Sequence, residues 1–142
     1  MGSRRTFIKN GCALCGALAI GIPAMNFLQA CKTGSGVMHA DLYQNKIVIP
    51  AITLADKSVQ VIRSKGLEYD ILLVKENEKK YHALLMKCTH QSNPLIATQT
   101  GLYCNLHGSR FDLNGNVVEE PATRPLEKYT VTIENQNIII HI

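Results

Sequence analysis

The chain has 142 residues, 46% hydrophobic and 18% charged, long enough for one domain with a core of its own. Its formal charge of +4 sits at one end: Arg4, Arg5 and Lys9 fall in the first thirty residues with no acid beside them, which leaves 12 basic against 11 acidic residues elsewhere. No basic stripe remains, and the three Phe and five Tyr are scattered, so nucleic-acid binding finds no support.

Residues 1–31 read as an address. Ser3-Arg4-Arg5-Thr6-Phe7-Ile8-Lys9 is followed by an apolar stretch from Gly11 to Ala30, interrupted by Pro23. A charged start, an apolar middle and a small-residue end are the parts of a targeting segment. The run around Arg4-Arg5 resembles a twin-arginine export signal. Leu28-Gln29-Ala30-Cys31 resembles a lipobox, which would make Cys31 the lipidated first residue of the mature protein. The alternative is an uncleaved anchor, since about 20 apolar residues just span a bilayer. Both readings tether the domain to a membrane on its extracytoplasmic, periplasmic side.

Residues 32–40, opening with Lys32-Thr33-Gly34-Ser35-Gly36, read as a flexible tether. From residue 41 to 142 the pattern is all-β. Val/Ile-rich runs predict strands over 46–49, 58–62, 69–74, 81–86, 129–133 and 138–142, with polar turns at 76–80 and 134–136. Asn114-Gly115, between Phe111-Asp112-Leu113 and Val117-Val118, predicts a two-residue hairpin turn. No helical period follows residue 40, and there is no internal repeat.

Two short loops inside this frame carry metal-ligand chemistry. The first reads Cys88-Thr89-His90-Gln91-Ser92-Asn93-Pro94, and the second Cys104-Asn105-Leu106-His107-Gly108-Ser109. Two thiolates and two imidazoles form a donor set that suits an iron–sulfur centre or zinc. Zinc sites more often show Cys-x2-Cys or His-x3-His spacing than Cys-x-His, and a structural zinc domain gives no reason for Gly108-Ser109. Of the other cysteines, Cys12 and Cys15 lie in the export segment. His39, His82 and His141 have no second ligand at a useful spacing, and Asp112 has no partner carboxylate for catalysis.

The order Cys-x-His, then Cys-x2-His-Gly-Ser, resembles the two cluster-binding boxes of the Rieske [2Fe-2S] proteins. That resemblance implies a Rieske-type antiparallel β-sandwich over 41–142, with a small cluster-binding subdomain at 86–120. It implies that Cys88 and Cys104 bind one iron and His90 and His107 the other, with Ser109 donating to a bridging sulfide. Neutral imidazoles in place of two thiolates remove negative charge, so such centres lie at about −150 to +300 mV, against about −400 mV for plant-type ferredoxins. Phe111 stands where high-potential members carry a Tyr donor, and Asn93 and Leu106 stand where those members carry a disulfide. Both departures imply a potential in the middle or lower part of the range. Gln91, where quinol-oxidising members carry Leu, weakens a quinol site. Pro121-Ala122-Thr123-Arg124-Pro125-Leu126 resembles the segment that closes over the cluster.

The function implied is a one-electron carrier of the cell envelope with no catalysis of its own. Its partners would be redox proteins: a quinol–cytochrome oxidoreductase or the molybdopterin subunit of a molybdenum oxidase. A ferredoxin-type partner of an oxygenase is the other reading, although an export signal argues against it. An oxygenase proper would need a further domain with a mononuclear iron site, and no length remains for one.

Overall fold

Ile71-Leu72-Leu73-Val74 is apolar at four successive positions because the strand that carries it is covered on both faces. Side chains alternate across a strand, so Ile71 and Leu73 enter one core while Leu72 and Val74 enter another. The whole domain is arranged around that double burial.

The computed structural model describes residues 36–142. The expected export signal, Cys31 and the first residues of the tether lie outside the described residues. In chain order the strands are β1 (Met38–His39), β2 (Leu42–Tyr43), β3 (Lys46–Pro50), β4 (Val59–Arg63), β5 (Ile71–Asn77), β6 (Lys80–Leu85), β7 (Ile96–Ala97), β8 (Gly101–Tyr103), β9 (Arg110–Asp112), β10 (Val117–Glu119), β11 (Lys128–Glu134) and β12 (Asn137–His141). One 3-10 turn, Ala51–Leu54, follows β3. No helix among the described residues is long and apolar enough to cross a membrane.

Eight strands form one sheet in the order β1-β4-β5-β6-β11-β12-β3-β2, and four form a second in the order β10-β9-β8-β7. In the larger sheet, Ile47 and Ile49 on β3 and Ile138 and Ile140 on β12 share a core with Ile62, Ile71, Leu73 and Ala83. Strands far apart in the order therefore pack face to face, which requires the sheet to curl on itself. β11 makes the corner: Lys128 and Tyr129 pair with β6, and Thr130 to Glu134 pair with β12. On the other face of β4, β5 and β6, Val59, Val61, Leu72, Val74, Leu84 and Met86 pack against Leu95, Leu102 and Phe111 of the smaller sheet and its loops.

The six strand runs expected from the sequence are present, with ends moved by up to three residues. Two features differ. The segment expected as a tether contains β1, which pairs with β4 in parallel, so not every pairing is antiparallel. The Asn114-Gly115 turn also has three residues rather than two. The Gly115 N–H donates to the Asp112 carbonyl at 3.0 Å, and the Asp112 N–H donates to the Asn116 carbonyl at 3.0 Å. Gly115 has φ +79°, whereas Asn114 is not among the residues at positive φ. A two-residue turn of the expected kind needs positive φ at both centres; this one is a tight turn closed by one left-handed glycine. Among the described residues, two-residue turns with both centres at positive φ fall at Gln44-Asn45 and Asn135-Gln136.

Candidate metal centre

The two cysteine loops have the same backbone. The Cys88 N–H donates to the Asn93 carbonyl and the Ser92 N–H returns a bond to the Cys88 carbonyl, both at 2.8 Å. In the second loop the Cys104 N–H donates to the Ser109 carbonyl at 2.8 Å, and the Gly108 N–H to the Cys104 carbonyl at 3.0 Å. Each loop is thus a six-residue tip closed by its cysteine. The first stands on the bridge between Lys87 and Pro94, the second on the Tyr103–Arg110 pair of β8 and β9. In both, the fourth residue after the cysteine is left-handed, Ser92 at φ 57° and Gly108 at φ 86°.

This shared geometry turns the cysteines inward and the histidines outward. Cys88 and Cys104 are each 1% exposed and belong to the core that contains Leu102, Phe111, Ala122 and Leu126. His90 and His107 are exposed. Their rings meet edge to face, 5.0 Å between centroids at 82°. The structure therefore brings the four candidate ligands to the paired tips of two loops, sulfurs on the protein side and imidazoles on the solvent side. Neither cysteine is in a disulfide. Among the described residues no group of three or more His, Cys, Asp or Glu is placed to hold a metal ion. A binuclear cluster asks only two protein ligands of each iron, and two buried thiols beside two paired imidazoles fit that demand.

Ser109, the fifth residue singled out by sequence, is fully buried, and its Oγ accepts a bond from the Ala122 N–H at 3.0 Å. The hydroxyl proton remains free for another acceptor. Through Ala122 the serine anchors the Pro-rich segment. Thr89 anchors it a second time, donating from Oγ1 to the Arg124 carbonyl at 2.7 Å. A cleft lined by Cys88, Thr89, Ser92, Arg124 and Pro125 runs between that segment and the first loop. Asp112 is a structural residue: its carboxylate accepts from the Asn116 N–H at 2.8 Å and from Asn116 Nδ2 at 3.0 Å, closing the turn behind β9.

Sequence reasoning missed two residues near the site. Tyr69, ahead of β5, donates from its hydroxyl to the Ser92 carbonyl at 2.7 Å. Partial burial, and then neighbouring Glu68, holds its phenol above the ordinary value. His82 has Glu76 Oε1 at 2.9 Å from Nδ1 and the Leu113 carbonyl at 2.7 Å from Nε2, which ties β6 to the hairpin behind the second loop. No spacing pointed to either contact, since both cross between segments far apart in sequence. Ser92 and Gly108 stand at equal offsets from their cysteines in the sequence, but only the backbone angles show that the loops share a geometry.

A model of the Rieske [2Fe-2S] domain matches residues 45–130. The chain belongs to the Rieske family. Its cofactor is accordingly a Rieske-type [2Fe-2S] cluster. Among curated proteins, this Rieske chain is 26% identical over 109 residues to the cytochrome b6-f complex iron-sulfur subunit of Synechococcus sp. (strain JA-3-3Ab). That alignment covers 74% of this chain and 63% of the relative, so the chain spans less than two thirds of the protein it matches. Among solved structures, the plasma membrane Rieske protein PetC3 from the cyanobacterium Synechocystis PCC 6803 has a TM-score of 0.54 at 22% identity, over 64% of this chain and 93% of that one. A chain from the complex of reduced oxygenase and oxidized ferredoxin in carbazole 1,9a-dioxygenase gives 0.53 at 17% identity, over 70% and 94%. At these identities the two structures speak for the shared all-β fold.

Proposed function

We propose that this chain is a one-electron carrier of the cell envelope, held at a membrane by residues 1–31, whose electrons enter and leave at the edge formed by His90 and His107. The pairing of two exposed imidazoles over two buried cysteines carries the reading. Cys88 and Cys104 would hold one iron and His90 and His107 the other, and the cluster would supply a single reversible electron at moderate potential. The chain's own residues do the rest. The burial of both sulfurs and the Pro-rich segment pinned by Thr89 and Ser109 keep water from the inner side. The imidazoles stay in reach of a partner. Ser109 has a hydroxyl proton to donate to a bridging sulfide, while Phe111 offers none, which supports a potential in the middle or lower part of the family range.

Partners remain redox proteins of the two kinds named from the sequence, a quinol-oxidising cytochrome complex or a molybdopterin subunit. Likeness to a b6-f subunit supports the first; Gln91 and the absence of cysteines at 93 and 106 support the second. Those same two positions are compatible with an oxygenase ferredoxin. Coulometric titration of the purified full chain tests the central part. One electron for every two irons and two sulfides is expected, whereas a zinc-loaded or redox-silent protein would refute the reading. Replacing Arg4-Arg5 by Lys-Lys tests the address: the chain should then stay in the cytoplasm, and unchanged export would contradict it.

A further inference from the structure

The two loops share one backbone but not one residue at its left-handed position. Gly108 occupies that position at φ 86° without cost, because it has no Cβ. Ser92 occupies the matching position at φ 57°, where an L side chain crowds its own carbonyl. The first loop therefore carries a backbone cost that the second does not, and a contact from outside the loop would offset it. Tyr69 is the side chain in place to do so. Its hydroxyl donates to the carbonyl of Ser92 itself, 23 residues away in sequence. Its ring lies under the ammonium of Lys87, 5.1 Å from Nζ to centroid. Lys87 immediately precedes Cys88 and forms the base of the loop with Pro94. One aromatic residue thus contacts the loop on both sides of the Cys88–His90 segment.

We infer that Tyr69 is a positioning residue for the metal centre, bracing the first loop in a conformation that Ser92 would otherwise resist and so fixing where His90 points. This rests on the proposed ligand assignment and adds to it a residue on neither loop. The arrangement accounts for a serine at a position better suited to glycine. It also makes a specific prediction, since a brace needed because of Ser92 becomes dispensable once Ser92 is gone.

The test is a double-variant cycle on the full chain as isolated, with Tyr69→Phe, Ser92→Gly and the two together. Phenylalanine keeps the ring under Lys87 and removes only the hydroxyl. Amide hydrogen exchange over residues 88–93 and the half-life of iron release to a chelator are the readouts. Tyr69→Phe is expected to speed both about fivefold, the scale of one net hydrogen bond. In the Ser92→Gly background, Tyr69→Phe should change both by less than about twofold. Unchanged exchange in Tyr69→Phe, or a loss that Ser92→Gly does not relieve, overturns the inference. The exchange arm reads the brace whatever metal is present. A parent protein without iron and sulfide would count against the ligand assignment, and an uncoupled cycle in an iron-loaded parent against Tyr69 alone.

Discussion

Ser109 shows how much a single side chain carries here. Its hydroxyl is buried, satisfies the Ala122 N–H and leaves its own proton free to donate. Ser109→Ala leaves that amide without an acceptor in the core, a loss of about 1–3 kcal/mol visible as a lower midpoint of chemical unfolding. On the proposed assignment it also removes a donor to the reduced centre. For a one-electron couple a hydrogen bond of about 1 kcal/mol corresponds to roughly 40 mV, so the potential should fall by that order in a redox titration. The four candidate ligands and Ser109 could be singled out in the sequence because metal chemistry restricts residue type and spacing together. Tyr69 and Thr89 were not, because a tyrosine or threonine bonding a distant backbone carbonyl leaves no periodic trace. The roles of Ser92 and Tyr69 emerge only when the two loops are laid side by side.

At the scale of the elements, β8 and β9 set the second loop, and Gly101 permits their approach. A Cβ at Gly101 would lie 2.2 Å from the Phe111 carbonyl oxygen, and that neighbour is backbone, with little freedom to move. Gly101→Ala should therefore cost about 3 kcal/mol and lower iron retention with it, both measurable on one preparation. The β5–β6 hairpin carries an acid-sensitive contact. Hydrogen bonds from Lys80, and then from His82, hold the Glu76 carboxyl below its ordinary value of 4.5. A depressed carboxyl adds stability that is complete above its unfolded value and lost as pH falls through the folded one. Unfolding midpoints should thus decline below about pH 4.5, and Glu76→Gln should flatten that decline while lowering the neutral-pH midpoint. The longer strands were legible because each spans five or more residues rich in apolar or β-branched side chains. β1, β2 and β7 were not, since two residues carry no period. The hairpin at Asn114-Gly115 was read in the right place with the wrong length, because the dipeptide serves two turn types and only the backbone angles separate them.

Across the whole molecule, β4, β5 and β6 form a wall between two cores, one closed by the curled sheet and one shared with the cysteine loops. Neighbouring residues on β5 therefore report on different halves. Leu72→Ala and Leu73→Ala each remove a fully buried side chain and should each cost about 2–5 kcal/mol. Only Leu72 shares a core with Cys88 and Cys104, so Leu72→Ala should also speed iron loss, while Leu73→Ala at matched stability should not. The sequence announced an all-β domain, but the double burial of Ile71-Leu72-Leu73-Val74 could not be told from a single buried face without knowing what lies on each side. Two loops closing alike, one ahead of β7 and one between β8 and β9, bring inward sulfurs and outward imidazoles to one place. Low-temperature electron paramagnetic resonance of the dithionite-reduced full chain measures the consequence most directly. A rhombic signal whose average g lies well below that of an all-cysteine [2Fe-2S] ferredoxin, with nitrogen hyperfine coupling lost from Cys substitutions at His90 and His107, is the predicted result. A ferredoxin-like signal without nitrogen coupling, or no signal from a zinc-containing protein, would contradict the account.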